Sequence, residues 1–233
     1  MVHVKKFRIS GESNIGLMIY ANDKFALVPK SINKKELADV EEVLKVPCHK
    51  VSIAGTPLIG VFLNGTEDKI IIPEIIFEKE LKELESIGKK YNVEFTVFNT
   101  ELTCFGNNML ISGDNAIVNP DYTNDEIKEL KNILGINVKI GMIADIEIVG
   151  ATTVINNNQK KALIHRDASN EDIKTVEETF GVKVDTGTVN MGSPYVKSGI
   201  VSNKNGFLIG EESGGPEITN ADEVLGYLKW NPK

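Results

Sequence analysis

Hydrophobic and polar positions between residues 106 and 143 follow three successive patterns that together predict a ββαβ unit. Two short runs of alternating apolar residues flank a Ser-Gly-Asp-Asn cluster, whose glycine and asparagine favour a tight hairpin turn. Thr123 and Glu126 then form a capping box, and apolar residues at helical spacing follow until Gly135. Alternation with period two returns after that glycine, which predicts a closing strand.

The same unit recurs along the chain. A glycine followed by a short strand, a turn cluster and a second apolar strand comes back every 44 to 49 residues, which indicates a repeat architecture. These anchor glycines are Gly16, Gly60, Gly106, Gly150 and Gly199. The fifth copy lacks a closing strand, and residues 3–9 have the pattern of the missing strand. An N-terminal strand that completes the last copy closes a ring and leaves no open sheet edge between its ends.

The predicted fold class is therefore α/β: a five-fold pseudo-symmetric propeller with strands around the axis and helices outside. We predict one domain, residues 1–233, because a unit of this size buries too little surface to be stable alone. The repeats are placed at approximately 16–59, 60–105, 106–149, 150–198, and 199–233 together with 1–15. A capping box at Thr219 and Asp222 is predicted to begin the last helix, and Trp230 to pack against that helix.

Composition limits the functional classes. A net charge of −7 argues against a broad phosphate-binding surface, which would need many lysines and arginines. No apolar run is long enough to span a bilayer and the first residues do not resemble a secretion signal, so a cytoplasmic location without membrane contact is expected. Two distant cysteines, Cys48 and Cys104, are expected to be reduced thiols, and no metal site is predicted.

Five equivalent points in a ring lie at one level, so the anchor glycines and their neighbours are predicted to form one rim. The neighbours differ in type although they share a position, as a surface fitted to an asymmetric protein partner would require. The candidate rim residues beside the glycines are Leu17, Val61, Asn107, Ala151, Thr152 and Ile200. The longest joint, residues 190–198, adds Met191 and Tyr195 at the edge of the same surface.

Five ββαβ units in a ring resemble the pentein fold, and three stretches resemble one family within it, translation initiation factor 6 of the archaeal type. These stretches are SIAGTPLIG at 52–60, residues 106–121 ending in AIVNPD, and GTVNMGSPYVKSGIV at 187–201. The resemblance covers essentially the whole chain. It implies a factor that binds the large ribosomal subunit and blocks subunit joining; eukaryotic relatives also take part in large-subunit maturation. We expect a monomer whose rim docks mainly on ribosomal protein, with some rRNA nearby.

The resemblance leaves one alternative, because some pentein relatives are enzymes that act on small guanidino compounds through a cysteine nucleophile. That chemistry requires a thiolate beside a base. Cys48 and His49 are adjacent on a predicted strand and therefore point to opposite faces, and Cys104 has no histidine in its own repeat. His165 is expected to be structural or to contact a partner. We therefore predict no enzyme activity, no catalytic residue, no cofactor and no small-molecule substrate.

Overall fold

Short strands form five separate three-stranded sheets in the computed structural model, which describes residues 2–228 of the 233. The sheets are β2–β4 (Tyr20–Ala21, Ala26–Pro29, Cys48–Val51), β5–β7 (Asn64–Gly65, Lys69–Pro73, Glu94–Phe98), β8–β10 (Met109–Ser112, Asn115–Val118, Asn137–Ile140), β11–β13 (Thr153–Asn156, Lys161–His165, Lys183–Gly187) and β14, β15 and β1 (Ile200–Asn203, Gly206–Gly210, Val4–Phe7). In each sheet the middle strand pairs antiparallel with one neighbour and parallel with the other. Each sheet is therefore the predicted hairpin plus a closing strand.

The N-terminal strand closes the ring. β1 runs parallel to β15, with Val4 opposite Phe207 and Phe7 opposite Gly210. The first strand of the chain thus completes the sheet of the last repeat. This confirms the predicted closure, which a linear array of repeats would not show.

Five long helices lie between the sheets along the chain. They are α1 (Lys34–Leu44), α2 (Glu78–Tyr91), α3 (Asn124–Leu134), α4 (Asn170–Phe180) and α5 (Gly215–Leu225). Asn33, Thr123 and Ser169 form the N-terminal capping boxes of α1, α3 and α4. Glycines in the left-handed conformation end α3, α4 and α5, as the sequence pattern predicts.

The predicted start of the last helix is wrong. Thr219 and Asp222 lie inside α5, which begins four residues earlier at Gly215. Glu217 accepts a hydrogen bond from the Gly214 amide at 2.8 Å and so supplies the cap. A proline in the first turn also favours this start, because its fixed φ suits a helix and it has no amide hydrogen to satisfy. The prediction for Trp230 lies outside the described residues.

The hydrophobic core is divided into clusters that neighbouring repeats share. Leu84 of α2 packs in one cluster with Ile70 of its own sheet and Leu27 of the preceding sheet. Val28, on the same middle strand as Leu27, faces the opposite side and packs with Val40 of α1. Both faces of a middle strand are therefore buried, which explains why these strands are continuously apolar. No helix within residues 2–228 is long and apolar enough to cross a membrane.

Five one-turn helices, here called the inner helices, connect the closing strand of one repeat to the first strand of the next. They are Ile15–Leu17, Ile59–Phe62, Phe105–Asn108, Val149–Ala151 and Val196–Gly199. All five anchor glycines lie within these helices, although the sequence predicted that each glycine begins a strand. Only Gly199 directly precedes a strand.

Candidate functional site

The inner helices pack against one another around the axis, and their glycines are the points of contact. A Cβ atom added to Gly60 would overlap the carbonyl oxygen of Gly16, and one added to Gly106 would overlap that of Gly60. Gly150 has the same relation to Gly106. These glycines are required because the backbone of one inner helix lies directly on the backbone of the next.

The fifth position in this series is held by Lys197 and not by Gly199. The carbonyl oxygen that faces Gly16 belongs to Lys197, and Val196 precedes it just as Ile15 precedes Gly16. Gly199 instead faces the side chain of Val189 in its own joint. The prediction that Gly199 is equivalent to the other four is therefore wrong, and the fifth copy has lysine where the others have glycine.

The residues that directly follow the glycines are mostly buried. Val61, Ala151 and Ile200 are all buried, and the hydroxyl of the fully buried Thr152 donates a hydrogen bond to the Val149 carbonyl at 2.7 Å. Leu17 and Asn107 are half-buried, so part of each side chain is accessible to solvent. The predicted rim thus has fewer accessible side chains than its position in the ring suggested.

The accessible equivalents stand before the inner helices. Each inner helix is preceded by one residue with φ near −80° and ψ between 54° and 71°, which places its side chain at the same point of the ring. We call these residues the flanking ring; they are Asn14, Leu58, Cys104, Ile148 and Tyr195. Ile148 and Tyr195 are 37% and 38% exposed, and the other three are half-buried. Of these five residues, only Tyr195 was among the candidates from sequence.

The turns that lead into the flanking ring are held by carboxylates from the neighbouring long helix. The buried Glu80 of α2 accepts hydrogen bonds from the Ser52 hydroxyl and from the Ala54 and Gly55 amides, at 2.7 to 3.0 Å. Burial alone would raise the pKa of Glu80, but these bonds outweigh it and hold the pKa below its usual value. The turn is therefore a rigid part of the scaffold.

The turn that carries Met191 is also held by a carboxylate from the neighbouring long helix. It is 83% exposed at the tip of the turn after β13, where Asn190 and Met191 both have positive φ. Glu217 of α5 accepts hydrogen bonds from the amides of Met191 and Gly192 at 3.2 and 2.8 Å. The Asn190 side chain donates to the Ser13 carbonyl at 3.0 Å, which ties this joint to the first repeat. The exposed methionine thus sits on a fixed backbone.

The cysteines and histidines are not arranged for catalysis. Burial raises the pKa of the Cys48 thiol to about 12, so the reactive thiolate is scarce near neutral pH. His49 forms its hydrogen bond with the Tyr91 hydroxyl, at 2.9 Å, and not with Cys48. No group of three or more His, Cys, Asp or Glu side chains within residues 2–228 could hold a metal ion.

His165 lies beneath the flanking ring. It is 4% exposed, its ring stands edge-on to that of Tyr195 with centroids 5.6 Å apart, and its Nδ1 accepts a hydrogen bond from the Asp167 amide. Burial lowers its pKa, an effect that Asp167 opposes and Arg166 reinforces. The neutral imidazole therefore supports Tyr195 from below.

This histidine is expected to make the protein less stable as the pH falls. The pKa of His165 in the folded protein lies below its ordinary value of 6.5, so the unfolded chain binds the proton first as the pH falls. The free energy of unfolding therefore keeps the full contribution of neutral His165 above about pH 6.5 and loses it progressively below that pH. His165→Asn keeps an acceptor near the Nδ1 position but does not titrate. We expect urea unfolding to show a smaller loss for this variant than for the wild type between about pH 7.5 and pH 5.5. Parallel pH profiles for the two proteins would contradict this.

Comparison with known proteins gives the family. The model of the eIF-6 family matches residues 4–224 of the chain. The chain belongs to the eIF-6 family. Translation initiation factor 6 of Pyrococcus abyssi is 34% identical over 229 residues, which are 97% of this chain and 100% of that protein. The factor of the same name from Sulfolobus acidocaldarius is 36% identical over 214 residues, 91% of this chain and 94% of its own length. Membership of the eIF-6 family places the chain among the translation initiation factors.

Solved structures confirm the fold of this eIF-6 family member. A dimethylarginine dimethylaminohydrolase in an adduct with S-methyl-L-thiocitrulline has a TM-score of 0.53 and 11% identity, over 76% of this chain and 69% of that one. The Pseudomonas aeruginosa enzyme complexed with citrulline has a TM-score of 0.52 at the same identity and coverage. At this identity the likeness shows the fold alone, which is the five-fold pseudo-symmetric pentein fold.

Proposed function

We propose that this eIF-6 family member binds the large ribosomal subunit and prevents the small subunit from joining it. The contact is made by a docking face, which consists of the flanking ring together with Leu17, Asn107 and Met191. The observation that carries the proposal is that five equivalent, accessible positions around one end of a rigid ring differ in side chain. A symmetric scaffold with an asymmetric surface suits one fixed orientation on an asymmetric partner.

The chemistry of the docking face supports a protein contact with rRNA nearby. The face combines aliphatic, aromatic, thioether and amide side chains and has no charged residue. Cores of protein interfaces are depleted in charge and rich in aromatic residues and methionine. A net charge of −7 works against nonspecific binding to bare RNA. The proposed mechanism is steric: the tightly bound factor occupies the surface that the small subunit would contact, and no catalysis is needed. In this proposal the factor acts in the cytoplasm as a monomer.

A sedimentation experiment tests the proposal. Purified large and small subunits are mixed with excess protein and separated on a sucrose gradient. We expect the protein to migrate with the large subunit and the fraction of joined ribosomes to fall as its concentration rises. If the protein stays at the top of the gradient and the joined fraction is unchanged, the proposed function is wrong.

Asn107→Arg is expected to weaken binding to the large subunit by roughly tenfold, because it adds a long charged side chain within an uncharged interface. Asn107 is half-buried beside the flanking ring. The matched control is Asn132→Arg, since Asn132 is exposed on α3 and lies outside the docking face. Affinity is measured by co-sedimentation at a series of concentrations, and the thermal midpoint checks that both variants fold. Equal affinity for the two variants would remove Asn107 from the docking face.

The alternative function, an enzyme that acts on a small guanidino compound, makes a distinct prediction. An enzyme of that kind would turn over substrate and lose the activity when both cysteines are alkylated. We expect no turnover before or after alkylation, since burial keeps the pKa of the Cys48 thiol about 12. The division of the chain into one domain with repeats near 16–59, 60–105, 106–149, 150–198, and 199–233 plus 1–15 also stays a prediction. Core clusters that span neighbouring sheets support it.

A further inference from the structure

A central cavity of about 580 Å³ lies within the ring. The first strands of the five sheets form its wall, the inner helices close one end, and the hairpin turns form the other end. Cavities of this volume are typical of sites for small molecules. The docking face lies outside the cavity, so the proposed ribosome binding leaves this volume unexplained.

Lys197 stands at the closed end of the cavity, in the place where the other four inner helices have glycine. Its ammonium lies deep within the protein, and the side chain keeps partial accessibility because it lines the cavity. The internal repeat makes this residue unusual. Glycine would fit the fold at this position, as it does four times, so the lysine adds a charge that the packing of the ring does not require.

The ammonium of Lys197 has no hydrogen-bond or ion-pair partner within residues 2–228. Burial lowers its pKa, and no carboxylate acts against that effect. A buried, unpaired charge is unfavourable because it loses hydration without gaining a partner. An anion within the cavity would remove this penalty.

Two carboxylates at the opposite end of the cavity, those of Asp23 and Glu67, already accept hydrogen bonds. Asp23 accepts hydrogen bonds from the Lys204 amide at 2.8 Å and from the Asn158 side chain at 3.3 Å. Glu67 accepts from the Asp23 amide at 3.0 Å, and burial raises its pKa. These hydrogen bonds join the hairpin turns into a polar network at this end. The two ends of the cavity therefore differ: an unpaired positive charge lies at the inner helices, and the hydrogen-bonded carboxylates of Asp23 and Glu67 lie at the turns.

We propose that the central cavity binds a small anion, of the phosphate or carboxylate class, on the ammonium of Lys197. The anion sits at the closed end of the cavity. The polar lining, which includes Asn64, Thr153 and Ser202, contacts the rest of the molecule. A ligand bound there touches the inner strands of several repeats at once and stabilises the ring as a whole.

Thermal unfolding with added anion tests this proposal. Inorganic phosphate and succinate are titrated separately, with sodium chloride at the same ionic strength as the reference. We expect at least one of them to raise the melting temperature of the wild type in a saturable way, by roughly 3 °C when its concentration is about ten times its Kd. A response to phosphate alone indicates a phosphoryl ligand, a response to succinate alone a carboxylate, and a response to both a site selected by charge.

Three variants locate the response. Lys197→Gly restores the residue of the other four copies, and Lys197→Met keeps side-chain volume without the charge; both are expected to lose the saturable shift. Lys139→Met removes the same charge from an exposed position on β10 and is expected to keep it. Isothermal titration calorimetry provides a second readout that does not depend on unfolding. The proposal is overturned if neither anion exceeds chloride, or if both Lys197 variants respond like the wild type.

Discussion

Replacing Gly106 by alanine is expected to lower the free energy of unfolding by about 3 kcal/mol. The new methyl group would overlap the carbonyl oxygen of Gly60, and its next neighbours are also backbone atoms of that inner helix. A flexible side chain could turn away from such a clash, but the backbone of a packed helix cannot. The inner helices would have to separate, and the strain would spread to both neighbouring repeats.

Gly215→Ala is the control for this substitution. A Cβ atom at Gly215 would meet nothing within 4 Å, and the residue lies in the first turn of α5. We expect its free energy of unfolding to stay within about 0.5 kcal/mol of the wild type or to rise slightly, because alanine favours helix. Urea unfolding of the three proteins measures both values. If Gly106→Ala proved as stable as Gly215→Ala, the inner helices would not be in close contact.

Local chemistry made the repeat unit predictable. Hairpin turns depend on asparagine and glycine, helix starts on a side-chain acceptor followed by an acid three residues later, and helix ends on glycine. Each of these signals acts within a few residues, so sequence alone is sufficient to find it. The start of α5 was missed because its cap lacks a side-chain acceptor at Gly214, while Thr219 and Asp222 further along imitate the pattern.

The contacts between the inner helices were not predictable from the sequence in the same way. Gly16 and Gly60 are separated by 44 residues, and their contact depends on how two repeats meet. Aligning the five repeats on their glycines grouped Gly199 with Gly16, Gly60, Gly106 and Gly150, because no local feature of the sequence marks Lys197 as the equivalent residue. Only the position of the Lys197 carbonyl oxygen opposite Gly16 reveals it.

Exposure at the docking face also depends on tertiary structure. From the sequence, the residue two positions before the glycine and the residue just after it are equally good candidates for an exposed position, because both lie near the axis. The inner helix turns the chain so that Ile148 is exposed at 37% whereas Ala151 is exposed at 6%. The carboxylates that hold the adjacent turns come from a different repeat, as Glu80 does for Ala54. Such pairings have no local signal.

Phe7→Ala is expected to lower the free energy of unfolding by about 3 to 5 kcal/mol, the usual cost of removing a buried phenylalanine side chain. Phe7 is 3% exposed on β1, the strand that closes the ring. Its side chain belongs to a cluster with Val40 and Leu44 of α1, so it joins the sheet of the last repeat to the helix of the first. The lost stability would therefore come from the contact between β1 and the first repeat, which closes the ring.

Lys6→Ala separates this effect from a general weakening of the strand. Lys6 precedes Phe7 on β1 and is exposed, so its side chain lies on the opposite face of the strand. Its removal is expected to change the free energy of unfolding by no more than about 0.5 kcal/mol. Urea unfolding followed by circular dichroism compares the two variants. A small effect of Phe7→Ala, similar to that of Lys6→Ala, would mean that the ring does not depend on its N-terminal strand, because a dispensable closing strand would leave the last sheet stable with only β14 and β15.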